Sequence, residues 1–325
     1  MARFFKRTPA PSGAGESASE APPRKPREIQ PDPDRIGISG SVPFVRLPDP
    51  SRLFADRAKR FAALAPEHPL GAYLDFLAWI AGAQAKVQAE HSFRPTLPGD
   101  MALRLEHGMP ALPRNVVTDD PACIACLDAV LAAVDLDGAP AATSAARDSL
   151  RAATPEDRLD LVGQIFEGAI PVERMAECVF VAAGLQVYLA ACAAALDVKA
   201  LKPVADGVCP ACGGAPTVSL IVSWTPADKA RYLSCSQCAT LWNHVRIRCT
   251  ACGSGESVSY YGLDEVSKDV QVETCTACNS YLKHLHQHRD AALDPIADDV
   301  ASYGLDLKIA EEGFRKAGLN LLFVG

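Results

Sequence analysis

The 325-residue sequence lacks the common catalytic fingerprints: it has no Walker loop, no Gly-rich dinucleotide-binding turn, no H-E-x-x-H pair and no Ser/His/Asp order. Nothing in it points to a catalytic centre, and the chain reads as a non-enzyme. Excess positive charge is also missing. The formal net charge is −7, which gives no global drive toward nucleic acid or anionic membrane, although local patches remain free to act. A secretory leader is absent too: Arg3 to Arg7 is basic, but residues 8–35 are rich in Pro, Ala and charge, with no apolar core. The expected compartment is therefore a reducing cytoplasm. One apolar run, residues 178–196, has the length of a membrane span, broken only by Gln186, Tyr188 and several Ala or Gly. It lacks flanking aromatic and basic anchors, and its alanines suit close helix packing. The expectation is a central buried helix and no membrane insertion.

What the chain does have is cysteine in a pattern. Four C-x-x-C pairs fall within seventy residues: Cys209/Cys212, Cys235/Cys238, Cys249/Cys252 and Cys275/Cys278. Adding 40 to the first four positions gives the second four, so one four-cysteine set with a 22-residue internal gap is written twice. Two such pairs are the usual ligands of a zinc ribbon or rubredoxin-like site, where four thiolates hold one ion tetrahedrally. Two residues between cysteines let the chain turn so that both sulfurs face one ion and backbone amides point at the sulfurs. Gly213, Gly253 and Asn279 follow the second Cys of their pairs and suit a left-handed turn, with Ala239 the expected exception. Aligning the units also superposes Ala211 on Ala251, Val218 on Val258, Ser219 on Ser259 and His244 on His284.

In a reducing compartment such pairs more often hold metal than form disulfides. Two ions are expected, iron or zinc, each closed by four thiolates with no position left for water or substrate. Lewis-acid hydrolysis is therefore not expected. The intact repeat favours one ion per unit, while interleaving pairs across units satisfies the same ligand count.

A hydrophobic share of 49% lets a chain of this length bury one large core beside a small metal-stapled domain. The expected organisation is a disordered tail at 1–38, a helical domain at 39–205, four-cysteine modules at 206–248 and 249–290, and a C-terminal helical segment at 291–325. After an extended approach at 42–50, Asp49 or Ser51 can cap a helix carrying Phe54, Ala58, Phe61 and Ala65 at helical spacing. Further helices are expected at 70–89, 123–134, 155–168 and 172–196, with a Pro-rich loop at 93–113. Alternating patterns predict strands at 217–224, 231–234, 257–261 and 269–274, so that each unit forms a short antiparallel sheet between two knuckles. Residues 296–313 return to helix, with Asp298 and Asp299 near its first turn. The fold class is thus α+β and multidomain.

Three other groups carry weaker signals. Cys123 and Cys126 sit near a helix start, where a thiol pKa falls and a redox dithiol becomes feasible. The apolar continuation Leu127, Val130, Leu131, Val134 favours packing instead. Cys178 and Cys192 are packing cysteines by the same logic. Arg231, Arg246, Arg248, Lys283, His284, His286, His288 and Arg289, interleaved with Trp242, Tyr281 and Tyr232, read either as a grip for nucleic acid or as a solvated face. The histidines after Lys283 offer a third metal in principle, with a surface strand or frayed helix as the plainer reading.

Over residues 40–325 the chain resembles the FdhE family of formate dehydrogenase accessory proteins. The resemblance rests on the segment 47–84 (LPDPSRLFADRAKRFAALAPEHPLGAYLDFLAWIAGAQ), CPACG at 209–213 and RYLSCSQCATLWNHVRIRC at 231–249. It continues through YYGLDE at 260–265, ETCTACNSYLK at 273–283 and IADDVASYGLDLKIAEEGF at 296–314. All eight cysteine positions of the family pattern are filled, and Cys123/Cys126 lies outside it. The resemblance implies a cytoplasmic factor that assembles or activates respiratory formate dehydrogenase through its catalytic subunit, without enzymatic activity of its own. A zinc-ribbon protein that binds nucleic acid is the competing reading, and a free-standing rubredoxin-type electron carrier is a third, made awkward by the large helical domain.

Overall fold

Helix starts in this chain repeat one device. The Asp49 carboxylate accepts from the Ser51 amide at 3.1 Å, and Pro50 stands at the first helical position, where no amide partner is needed. Asp120 with Pro121, and Thr154 with Pro155, repeat it. The computed structural model describes residues 4–7, 42–90, 95–263 and 267–323. Its helical part runs through α1 (Pro50–Leu64), α2 (Gly71–Glu90), α3 (Met101–Glu106), α4 (Asn115–Thr118), α5 (Pro121–Ala133), α6 (Ala141–Ala152), α7 (Pro155–Phe166) and α8 (Met175–Ala194). The short α3 lies inside the segment expected as a Pro-rich loop. No helix is expected at α6, whose Ala/Ser-rich turns bury only Ala146 and Leu150.

The long apolar run forms α8, and it is buried on nearly every side by α2, α5, α6 and α7. In this fold it is a core helix with 78% of its most apolar window buried. Its two polar breaks have partners. Tyr188 donates to the Val116 carbonyl and the Asp120 carboxylate, and Gln84 of α2 donates to Gln186 at 3.1 Å. Cys123, Cys126, Cys178 and Cys192 are all buried in this layer. Burial pushes the Cys123 and Cys126 thiols far up, which opposes the helix-start effect and leaves no reactive dithiol. Burial likewise raises Cys178 to about 11 and Cys192 to about 12.

The strands are β1 (Phe4–Arg7), β2 (Val45–Arg46), β3 (Pro216–Ile221), β4 (Arg231–Cys235), β5 (Leu241–Asn243), β6 (Val258–Leu263), β7 (Val270–Cys275), β8 (Ser280–Leu285) and β9 (Arg315–Lys316). They form one sheet in the order β1-β6-β7-β8-β3-β4-β5-β2, with β9 added to β8. The expectation of two separate small sheets is corrected here. Each unit does make its own antiparallel trio, but β3 and β8 pair in parallel, Ser219 opposite His284 and Leu220 opposite Leu285. Within the N-terminal segment expected to stay outside the fold, Phe4–Arg7 is laid antiparallel along β6; the rest of that segment lies outside the described residues.

Two cores result. The larger joins the helices to Cys209, Ala211, Cys212, Leu233, Cys235 and Cys238 of the first unit. The smaller joins both units through Val218, Leu220, Tyr232, Val270, Val272 and Leu285. The C-terminal helices α9 (Ala297–Ala301) and α10 (Tyr303–Glu311) serve both: Ala297 and Val300 belong to the first core, Leu305 and Ile309 to the second. Buried charge fastens them. Lys283 on β8 pairs with Asp299 and Asp306, and Lys316 reaches Asp299 at 2.9 Å. Burial alone pushes the Asp299 carboxyl up, yet Lys283 and Lys316 outweigh it and hold the group below its ordinary range.

Candidate metal centres

Each unit brings its four cysteines to a point. Cys209, Cys212, Cys235 and Cys238 form one group and Cys249, Cys252, Cys275 and Cys278 the other, every sulfur within 4.8 Å of the rest of its group. Pairing is thus local to each repeat, not interleaved. The first pair of each unit lies in the loop before its first strand, and the second pair closes the turn between the second and third strands.

The turns explain the convergence. The Cys209 amide donates to Gly214 and the Gly213 amide back to Cys209, and the second unit repeats this through Cys249, Gly253 and Ser254. Amides two residues on aim at sulfur: Gln237 N lies 3.4 Å from Cys235 Sγ, and Ala251 N 3.4 Å from Cys249 Sγ. The left-handed residue follows in every knuckle, at Gly213, Gly253 and Asn279 as expected. It also follows at Ala239, with φ 58°, where the sequence had suggested an exception. The geometry of the turn overrides the cost of the Ala239 methyl.

Sulfur separations fit a tetrahedral four-thiolate ion. Metal–sulfur bonds of ~2.3 Å set the tetrahedron's edges at about 3.8 Å. The Cys209–Cys238 and Cys212–Cys235 contacts are 3.7 and 3.4 Å, and Cys249–Cys278 and Cys252–Cys275 are both 3.7 Å. These distances are far longer than a disulfide bond. The electrostatics agree, since four bare thiolates cannot share such a space. Burial pushes Cys209 well up, and the neighbouring thiols, Cys209 first, push Cys212 up. Against the same burial, hydrogen bonds from its neighbours hold Cys238 down. In the second group burial raises Cys275 to about 12, while Cys278 falls to about 7 because Ser280 and the other thiols outweigh burial. A cation resolves that conflict by favouring all four ionised sulfurs.

Two hydroxyls near the sulfurs were not anticipated. Thr240 Oγ1 lies 3.1 Å from Cys238 Sγ, and Ser280 Oγ lies 2.9 Å from Cys278 Sγ. Both stand two residues after the last cysteine of their unit, at equivalent repeat positions. That coincidence was readable in the 40-residue alignment.

Surroundings separate the two centres. All four cysteines of the first are buried, the most exposed, Cys212, only 4%. The helical layer covers them: Gln186 of α8 donates to Ser236 at 2.9 Å, Gln237 donates to Phe166 at 2.6 Å, and the Leu112 amide donates to Ala211 at 2.8 Å. In the second centre Cys252 is exposed and Cys278 half-buried, and the knuckle residues Ala251, Thr276 and Ala277 face solvent.

The expected basic and aromatic fringe largely turns inward. Arg231, Lys283, Trp242, Tyr232 and Tyr281 are at most 5% exposed, and His284 and His286 are also buried. The histidine run begins at the end of the central strand β8 with His284 and continues past it into a turn with His286 and His288, neither a surface strand nor a frayed helix. Its rings stack edge to face at 5.0 and 5.3 Å, and among the described residues they join no cluster able to hold a third ion. Arg246, Arg248 and Arg289 alone remain of the exposed fringe.

Known proteins bear on this architecture. Family models described as FdhE N-terminal, FdhE central domain and FdhE C-terminal domain match residues 42–206, 208–246 and 247–323. A protein FdhE homolog of Rhizobium meliloti is 38% identical over 300 residues, covering 91% of this chain and 98% of that protein. The homolog of Pseudomonas aeruginosa is 33% identical, covering 89% and 96% respectively. The crystal structure of the FdhE protein from Pseudomonas aeruginosa superposes with a TM-score of 0.75 at 33% identity, covering 86% of this chain and 98% of that one. With three consecutive family matches spanning both four-cysteine groups and the helical layer, this chain belongs to the FdhE family.

Proposed function

We propose that the chain is a cytoplasmic, non-catalytic accessory factor that helps respiratory formate dehydrogenase assemble or become active, acting on its catalytic subunit. The observation that carries this reading is the unequal setting of two like centres in a member of this family. One is sealed under helices and the other is open on the surface. All eight cysteines serve as ligands, four to each ion. A closed four-thiolate shell keeps substrate away from the ion, which accords with an accessory role rather than hydrolysis.

The first centre is the staple that holds the sheet to α8. The second is the one a partner can approach. If the ion is iron, a four-thiolate centre supplies one-electron chemistry without opening its shell; if zinc, the second centre fixes a docking surface. The chain's own part is the same either way: amides and hydroxyls near sulfur stabilise thiolate charge, and Cys252 stands where a partner can reach it. The nucleic-acid reading loses support because most of its basic and aromatic residues are buried.

The test is complementation of cells lacking this gene. The parent chain restores formate dehydrogenase activity, and C252S fails to do so while accumulating to parental level. Normal activity with C252S, the second ion missing by metal analysis, would remove the second centre from the function. Anaerobic purification with a visible spectrum then separates iron from zinc: colourless protein with two zinc ions ends the redox version.

A further inference from the structure

The segment between the centres, residues 244–250, arches over one buried side chain. Arg231, on β4 with no exposed side-chain surface, spends every donor on it or beneath it. Its Nη1 donates to the Val245, Arg246 and Arg248 carbonyls at 3.2, 3.4 and 3.0 Å. Its Nη2 reaches Thr250 Oγ1 at 3.1 Å and Glu273 at 2.8 Å, and Nε donates to Ser219 at 2.8 Å. Tyr260 adds a hydrogen bond to the Arg246 carbonyl at 3.1 Å. At Val245, Arg246 and Arg248 the carbonyls turn in, while the side chains of residues 245–248 are exposed. Val245 is 60% exposed and Ile247 58%, and Arg246 and Arg248 stand between and beside them. The arch runs directly into Cys249, and the Ile247 carbonyl lies 3.4 Å from where a Cβ on Gly255 would sit, which places it against the knuckle of the open centre.

Isolated surface apolar residues need no explanation. A pair pinned outward by a fully buried guanidinium is different, because the ordering cost of a contact loop has been met before any partner arrives. We propose that Val245, Arg246, Ile247 and the open edge of the second centre form one docking face, and that its occupant is a protein segment carrying apolar side chains beside carboxylates. Arg248 is already paired with Asp206 at 2.8 Å, whereas Arg246 has no ion-pair partner among the described residues. It is the cation left for a carboxylate from outside. A second copy of this chain fits poorly, since a two-fold contact would set Arg246 against its own equivalent. The inference rests on the accessory reading above and names the surface through which that reading acts.

The experiment measures binding of the full-length, metal-loaded chain to purified formate dehydrogenase catalytic subunit at low and high salt. A Val245→Ser/Ile247→Ser double variant is expected to keep parental metal content and Tm while binding about tenfold more weakly or worse. Arg246→Glu is expected to weaken binding most at low salt, the difference shrinking as salt rises. Leu103→Ser, an exposed site on α3 in the helical layer, binds as the parent does. Parental affinity in both arch variants, with the parent chain binding well, overturns the docking face and leaves the accessory reading intact. Failure of the parent chain itself to bind overturns both. Capture of a single-stranded RNA oligonucleotide by the parent but not by Arg246→Glu overturns the choice of a protein occupant.

Discussion

The two four-cysteine centres share a ligand set, a knuckle geometry and a 40-residue spacing, yet one is wrapped in α-helix and the other faces solvent. The difference lies outside the repeat. Gln186, Phe166 and Leu112 come from the helical layer and bond to the first unit's knuckles, and no described helix does the same for the second. A duplicated module has thus been divided into a part that organises the fold and a part left open. Burial, not the set of cysteines, is what distinguishes the two centres.

Removing one ligand from each centre tests the division most sharply. A structural four-thiolate ion contributes about 10–16 kcal/mol of apparent binding energy to folding, as large as the whole stability of a typical domain. C209S is therefore expected to lose cooperative unfolding and most soluble protein, because Cys209 belongs to the helical core itself. C252S is expected to lose one ion and keep the helical circular-dichroism signal and a cooperative thermal transition. Chelator should follow the same order in the parent chain, taking one ion quickly and the second only with unfolding. Equal losses of helix signal in the two variants would break the comparison.

Acid provides a second, smaller contrast. Burial first, then Arg289 and His288, lowers His286 of the second unit to about 4 from an ordinary 6.5, with Asp269 pulling the other way. The unfolded chain takes up this proton below pH 6.5 while the folded one resists it. Stability from this group therefore falls between pH 6.5 and about 4, by about 3 kcal/mol at full extent. His286→Phe is expected to be less stable at neutral pH, since it strips Gln271 of its partner, but to lose less on acidification over that window. Urea midpoints against pH for parent and variant give the difference directly. Parallel curves would mean that His286 titrates normally in the fold.

Much of this was legible because cysteine spacing is a local property. The repeat marked out the two four-cysteine groups, and the turn chemistry at Gly213, Gly253 and Asn279 marked three of four knuckles. The missing flanking anchors and the alanine content also marked α8 as a core helix, and its break at Gln186 was a real one, since that side chain bridges α2 to the first centre. What stayed hidden was long-range. The parallel pairing of β3 with β8 joins residues 65 positions apart, and nothing local in either strand names its neighbour. Arg231 looked like a surface cation because its six acceptors come from two separate strands and a loop. Lys283 looked the same because Asp299 and Asp306 arrive only when the C-terminal helices fold back.

The knuckle that broke the pattern gives the finest comparison between the units. Ala239 and Asn279 occupy equivalent positions with nearly equal φ, 58° and 51°. Asparagine tolerates the left-handed region far better than alanine, for which it costs about 1–2 kcal/mol. Ala239→Gly should relieve part of that strain, while glycine's greater freedom in the unfolded chain takes part of the gain back. A net stabilisation of about 0.5–1 kcal/mol is expected, against a change near zero for Asn279→Gly, read as a rise in Tm with metal content unchanged. The test also probes the covering layer, because Ala239 lines the roughly 700 Å³ cleft between α1 and the sheet. Destabilisation by Ala239→Gly would show that the methyl's packing in that cleft outweighs its backbone strain, and that α1 as well as α8 holds the first centre shut.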